Sequence, residues 1–491
     1  MTAVADGIGF RSARGPVLIA LMLSTGLVAI DSTILATAVP SIVDDLGGFA
    51  QFPWLFSIYL LAQAVAVPLY AKLSDMVGRK PIILIGIGLF LTGSVLCGFA
   101  WSMPALIAFR ALQGLGAGAV QPMAITIAGD IYTVTERARV QGYIASVWAV
   151  SSVVGPTLGG LFAEYLSWRW IFFVNVPLCI LAGGMLLRRF HENVARRRHT
   201  LDYAGAALLA VGVSAIILGL LEGGQAWAWD APQSFAAFAL GLVALIAFVL
   251  VERRAAEPIL PLWVFSRRLL LTTTGLSLMV GAMLIGLTSY VPTYLEGSLN
   301  VSPLVSGLAL AALTLGWPVS ASLSGRIYTR VGFRPTVLIG VAFAVIGTVS
   351  LALTAGTPSV ATVAITCFVI GAGFGFIASP GIIAAQSSVP WHERGVVTGT
   401  NLFARSIGSA VGVAIFGAIA NSILADAAAG GPDAPGAGAA PTQPAGIVAA
   451  GGAVFLAVAV CAVFLIVAAA LMPRTRVEDV QAYAPAEHDG V

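Results

Sequence analysis

Charge is scarce in this sequence. Asp, Glu, Lys and Arg make up 10% of its 491 residues, against about 25% in soluble chains. That shortage excludes an ordinary soluble domain. Together with 58% hydrophobic residues, it points to a polytopic membrane protein. Histidine is also sparse. His191, His199, His392 and His488 fall in expected loops or tails, without metal-ligand spacing or catalytic partners. The four cysteines, at 97, 179, 367 and 461, each lie inside an apolar run. That spacing fits neither a disulfide framework nor a zinc site, and the cysteines read as small core side chains. No phosphate-cradling glycine loop is present. An enzyme, a metal centre, an organic cofactor and a nucleic-acid partner are therefore not expected.

What the sequence has instead is long apolar runs. A bilayer crossing needs about 20 such residues. Fourteen stretches qualify: 17–39, 53–74, 81–101, 105–128, 138–162, 169–187, 204–222, 235–252, 269–291, 304–326, 335–355, 359–384, 398–423 and 447–471. No small-residue cleavage site follows the first, so it is expected to be a retained helix rather than a signal peptide. Basic residues set the orientation. Lys72, Arg79, Lys80, Arg137, Arg139, Arg188, Arg189, Arg196, Arg197, Arg198, Arg253, Arg254, Arg267, Arg268, Arg326, Arg330, Arg334 and Arg394 fall on one side, with both tails. The opposite loops hold Arg169 alone. The positive-inside rule then places both termini and the loop RRFHENVARRRH (188–199) in the cytoplasm. The segment ADAAAGGPDAPGAGAAPTQPAG (425–446) has too few large apolar groups to pack. It reads as a flexible external loop.

The chain also repeats itself. AKLSDMVGRKPIILIG (71–86) matches GRIYTRVGFRPTVLIG (325–340), and RARVQG (137–142) matches RGVVTG (394–399). GLGAGAVQP (114–122) likewise matches GAGFGFIASP (371–380). In each pair the copies stand eight expected helices apart. Two six-helix halves with helices seven and eight inserted between them give that spacing. Parallel repeats about an axis along the membrane normal are an architecture of alternating-access transporters. The expected units are an N-terminal bundle (1–187), the inserted pair with its flanking loops (188–268), a C-terminal bundle (269–472) and a cytoplasmic tail (473–491).

These motifs carry a family resemblance over nearly the whole chain. KLSDMVGRK between helices two and three, LIAFRALQGLGAG (106–118), SSVVGPTLGG (151–160), AIDSTILATAVP (29–40) and WRWIFFVNVP (168–177) occur together. Jointly they resemble the fourteen-helix drug:proton antiporter branch of the major facilitator superfamily. Ala71 departs from the glycine that the first motif prefers. The resemblance implies an all-α polytopic fold of two six-helix bundles plus two inserted helices. It also implies antiport, with protons as the coupling ion.

Individual residues acquire roles on this frame. Asp31 is the only charge in helix one, and a carboxylate at bilayer depth costs at least about 2.5–3.5 kcal/mol. At 1.5 Å per residue Asp31 lies roughly 13 Å below the outer surface and Arg110 roughly 9 Å. Opposite charges at comparable depth pair. Arg405 is the third buried charge. Either it snorkels to the cytoplasm or it reaches Asp31 from the opposite half. Asp31, Arg110 and Arg405 are thus the proton-coupling candidates, while Asp202 and Glu222 are expected at the membrane interface.

In SDMVGRK, Gly78 allows a tight turn. Asp75 is expected to face a helix N-terminus of the other half, where an acid is favoured. The resemblance implies that Arg79 pairs with Asp130, so that Asp75, Gly78, Arg79, Lys80 and Asp130 latch the outward-open state. Thr329 replaces Asp75 in the second copy, which makes the latch one-sided. In helix five, Gly155, Gly159 and Gly160 allow close packing, and Pro156 kinks the helix. The resemblance makes this segment a hinge suited to antiport. Tyr59, Gln63, Gln121, Trp148, Tyr290, Tyr294, Trp317, Phe376, Asn401 and Phe403 form the candidate substrate cavity. Together they suit a large, mostly apolar pocket with few polar anchors, although any one of them alone reads as lipid-facing or packed before it reads as substrate-binding.

The function expected from the sequence is a proton-coupled antiporter of the bacterial inner membrane that exports amphipathic, often cationic, compounds. A bias of arginine over lysine fits a GC-rich bacterial genome. The alternatives are a lipid or glycolipid exporter, a proton symporter and a transport-dead sensor. The expected partners are an amphipathic small molecule or lipid and the surrounding membrane lipids, around a monomeric chain.

Overall fold

The computed structural model describes residues 9–47, 51, 54–192, 202–223, 227–255, 258–429, 444–476 and 478. Among them, 14 helices are long and apolar enough to cross a membrane. In chain order they are α1 (Gly15–Leu46), α2 (Trp54–Val77), α3 (Arg79–Gly98), α4 (Met103–Ile131), α5 (Val134–Tyr165), α6 (Asn175–Arg189, which crosses together with the preceding turn from Trp170) and α7 (Tyr203–Glu222). They continue with α8 (Pro232–Glu252), α9 (Arg268–Leu299), α10 (Pro303–Val331), α11 (Phe333–Thr354), α12 (Val360–Ser387), α13 (Arg394–Ala429) and α14 (Pro444–Leu471). The bulk of the loops 188–199 and 425–446, and most of the tail, lies outside the described residues.

Two helices depart from the hydropathy reading for physical reasons. α1 continues past its apolar run to Leu46. Its last turn carries Asp45, which accepts from the Trp168 indole N–H at 3.0 Å and from Arg169 at 2.7 Å. Arg169, the lone basic residue of its side, thereby has a counter-ion. The run 169–187 predicts a single helix six, but the chain makes one turn, Trp170–Phe173, before α6. Pro177 has no N–H to give the Phe173 carbonyl, which loosens the ladder there.

α1–α6 and α9–α14 form two bundles, each with its own apolar core, and Val134 and Ala138 of α5 join the second core. Leu21, Ile83, Phe90, Val120 and Met123 belong to the first. Met283, Leu287, Phe374, Phe416 and Phe455 belong to the second. The internal repeat extends to the backbone. Gly78, at φ 100°, turns α2 into α3, and Gly332, at φ 88°, turns α10 into α11. Both lie in the region that glycine adopts without steric cost. α7 and α8 pack on each other, and α7 also rests on α2 and α13. Ala64, Leu209, Val213, Phe403 and Ala410 meet at this seam. The inserted pair therefore touches both halves.

Candidate functional site

Asp31 is 1% exposed, sealed inside the first half. One carboxylate oxygen accepts from Arg110 Nη1 at 2.6 Å. The other accepts from Gln113 Nε2 at 2.6 Å and from Asn175 Nδ2 at 3.2 Å. Both amides also donate to the Ser94 hydroxyl, at 2.7 and 3.0 Å. Arg110 donates to the Gln113 carbonyl oxygen at 2.7 Å and to the Leu55 backbone carbonyl at 3.1 Å. Its guanidinium lies 4.3 Å over the Tyr59 ring. Residues from α1, α2, α3, α4 and α6 thus converge on one carboxylate. Each of its oxygens meets a donor, as a buried charge requires.

The structure brings Asp31 and Arg110 together and leaves Arg405 elsewhere. All of the polar partners of Asp31 come from its own half. Arg405 stands on α13, about 16 Å from the start of that helix at 1.5 Å per residue. It has no ion pair or hydrogen bond among the described residues. An Arg405–Asp31 contact across the halves is therefore not formed here. Gln113, Asn175 and Ser94 are not among the residues that the sequence singles out. Gln113 and Asn175 stand inside LIAFRALQGLGAG and WRWIFFVNVP, where an uncharged amide attracts less notice than a charge.

A second cluster joins the halves at the end bearing Gly78 and Gly332. Asp75 accepts from the backbone N–H groups of Gly395 and Val396 at 2.9 and 2.8 Å, and from Arg79 at 2.7 Å. It therefore acts as a cap, supplied by the other half, for the first turn of α13. Any Cβ at position 395 would collide with Asp75 and Ser74, so this approach needs glycine. Arg79 is fully buried. It donates to Asp130 at 3.1 Å, to the Ser74 carbonyl at 2.8 Å and to the Trp391 carbonyl at 2.6 Å. Its guanidinium also stacks 3.7 Å from the Trp391 ring centroid. Arg394 reaches back across the seam to Asp130 at 3.1 Å.

Lys80 is a correction to the latch. Its ammonium donates to the Leu187 carbonyl at 3.0 Å within its own half and is exposed. Its backbone N–H and that of Arg79 are instead capped by Glu192, both at 2.9 Å.

The repeat-related side of the seam lacks the acids. Thr329, the mate of Asp75, bonds its own helix at the Gly325 carbonyl, 2.8 Å away. Counting on from Pro122 and Pro380 pairs Asp130 with Ser388. Here Arg137 donates to Ser387 at 2.8 Å, and the Tyr328 hydroxyl donates to the Val134 carbonyl. The N-terminus of α5 is already capped by its own Thr133 and Glu136.

In α5, a Cβ at Gly155 would strike the Thr33 hydroxyl, and one at Gly159 would strike Thr37 and the Ile34 carbonyl. These two glycines set the close approach of α1 and α5. Gly160 faces open space and does not belong to that contact. The helix runs unbroken through Pro156.

The ten cavity candidates separate. Tyr59 stacks on Arg110. The Tyr294 hydroxyl donates to the Ala355 carbonyl at 2.7 Å and its ring packs on Phe455, so it is a core residue. Phe376 is buried against Phe343 of α11. Phe403 packs at the seam with α7, and Asn401 is tied to Ser277 at 2.9 Å. These five are held by packing or hydrogen bonds rather than left free for a ligand. Gln63 and Gln121 bond each other at 3.0 Å. Both are half-buried, as are Trp148, Tyr290 and Trp317.

The family model of the Major Facilitator Superfamily matches residues 21–413. The chain belongs to the major facilitator superfamily. It is 36% identical over 432 residues to Multidrug resistance protein 3 of Bacillus subtilis (strain 168), covering 86% of this chain and 84% of that one. It is 35% identical over 419 residues to the Multidrug transporter protein MdtP of the same organism, covering 84% and 76%. The crystal structure of the human organic anion transporter MFSD10 (TETRAN) superposes with a TM-score of 0.66 at 13% identity, over 93% of this chain and 99% of that one. That likeness speaks to the fold alone. As a superfamily member with 14 apolar helices, the chain is a multi-pass membrane protein.

Proposed function

We propose that this chain exports amphipathic or lipophilic compounds, many of them cationic, in exchange for protons across the bacterial inner membrane. Both termini and the basic loops face the cytoplasm in this reading. The observation that carries it is Asp31, a sealed carboxylate held by one guanidinium and two amides inside a spanning bundle. Intramembrane carboxylates of this kind are the groups that proton-driven transporters use. The similarity to two multidrug proteins supports the export direction and the cargo class.

The mechanism follows from the contacts of Arg110. Protonation of Asp31 removes the anion that faces Arg110. Arg110 is also held by Leu55 and Tyr59, both on α2, and the last turn of α2 carries Asp75. The helix thus runs about 30 Å, at 1.5 Å per residue, from the proton site to the cap on α13, continuous through Pro68. A shift of Arg110 moves α2 and weakens that cap, and the halves rock. One charge moved per cycle draws about 2.3 kcal/mol from each 100 mV of membrane potential. No cofactor takes part, and a single chain suffices.

The test is proton movement driven by cargo. In proteoliposomes holding a pH-sensitive dye, adding a lipophilic cation such as ethidium to one side should move protons the other way. Ethidium flux without proton flux would refute the exchange. A lipid cargo is the second reading. It is favoured by an apolar groove of about 390 Å³ between α1 and α5, lined by Met22, Leu23, Ile30, Val147 and Val150. Proton flux on adding lysolipid but not ethidium would select it.

A further inference from the structure

Arg405 is left over once the proton site and the latch are assigned. Arg79, Arg110, Arg137 and Arg394 are each held by a carboxylate, a carbonyl or a hydroxyl. Arg405 is half-buried and has no such partner among the described residues. A guanidinium at this depth, without a counter-ion, is among the costliest placements in a membrane protein.

Helix spacing shows where it looks. Thr398 and Arg405 lie seven residues, or two turns, apart and share a face of α13. The Thr398 hydroxyl accepts from the Gln386 amide of α12 at 2.8 Å, and that amide also approaches the Ile125 carbonyl of α4 at 3.5 Å. This face of α13 is therefore turned to α12 and α4, between the halves. On α12 the residue two turns before Gln386 is Ser379. α12 ends where α13 begins, so both steps lead about 10.5 Å inward from the Gln386–Thr398 contact. Ser379 and Arg405 stand at one level. Ser379 is 5% exposed, and its hydroxyl has no hydrogen-bond partner. A lone guanidinium and a lone buried hydroxyl thus occupy one level of neighbouring helices, two turns in from the closed end.

A guanidinium grips a carboxylate through two parallel N–H bonds, and a hydroxyl adds a third donor. We propose that Arg405, assisted by Ser379, binds the carboxylate of an amphipathic cargo between the two halves. Asp31 cannot occupy the site, because Arg110, Gln113 and Asn175 hold it within the first half. The inference rests on the export reading above and adds to its cationic cargo amphiphiles that carry a carboxylate, zwitterions included.

The test is an equilibrium titration of the full chain in phosphatidylcholine nanodiscs, without a pH gradient. The probes are dansyl-undecanoic acid and its primary amide. The wild type is expected to bind the acid at least about tenfold more tightly than the amide, the worth of one charge-assisted pair. Arg405→Gln should abolish that preference and leave amide binding unchanged. Arg405→Lys should keep part of it, and Ser379→Ala should reduce it severalfold. Equal binding of acid and amide by the wild type would overturn the site. So would an unchanged preference in Arg405→Gln or, if that variant does not fold, in Ser379→Ala. Failure of the wild type to bind either probe would instead overturn the amphipathic-cargo reading beneath it.

Discussion

Replacing Asp75 with Asn removes a charge from the cross-half cap while nearly preserving its shape. The carboxylate takes two backbone N–H groups of α13 and one guanidinium N–H. Asn has one carbonyl oxygen and presents an NH2 group where the second acceptor stood. At least one charge-assisted bond is lost, worth about 1.5–3 kcal/mol. The favourable contact of an acid with a helix N-terminus is lost as well, about 0.3–1 kcal/mol. The sum, about 2–4 kcal/mol, lowers the closed-to-open ratio at this end roughly thirtyfold to several hundredfold. Spin labels at Arg139 and Arg330, exposed on α5 and α10 of opposite halves, report that ratio by pulsed EPR. The variant should show a new population at longer distance, and Asp75→Glu should retain more of the closed one. A distance distribution identical to wild type in Asp75→Asn would refute the cap as a conformational determinant.

Further outcomes are expected. Gly155→Val forces a side chain into Thr33, an overpacking cost of about 1–3 kcal/mol. It should lower the thermal midpoint in detergent, whereas Gly160→Ala should leave it unchanged or raised. The opposite ranking would undo the α1–α5 packing argument. Thr329→Asp should give no gain in the closed population by the same EPR pair, since Thr133 and Glu136 already cap α5 and Glu136 repels a second acid. A clear gain would mean that the seam lacks an acid for some other reason. Gln113→Leu removes a donor to Asp31 and one to Ser94. It should slow proton-coupled transport about tenfold, and an unchanged rate would remove Gln113 from the coupling network.

Much of this arrangement was legible in the chain because charges in apolar runs are conspicuous. Asp31 and Arg110 stand out on that ground, and matching depth suggests their contact. The facing of Asp75 toward a helix of the other half follows from the repeat and the acid's affinity for a helix N-terminus. Uncharged groups were harder to place. Gln113 and Asn175 look like ordinary membrane amides until α3, α4 and α6 fold around Asp31. Arg394 satisfies the positive-inside pattern by itself, which hides its reach to Asp130. Aromatic residues are the least legible. Residue type does not say which helix face meets a neighbour, so Tyr294 and Phe376 read as cavity lining although Phe455 and Phe343 cover them. The place of α7 at the seam depends on contacts between segments far apart in sequence, which periodicity does not encode.

The central claim is that Asp31 couples protons to cargo. It is tested most directly by Asp31→Asn in proteoliposomes under an imposed pH gradient, with ethidium as the cargo. Wild-type protein should concentrate ethidium against its gradient. The variant should bind ethidium and equilibrate it without concentrating it. Gradient-driven accumulation by Asp31→Asn at the wild-type level would contradict the account.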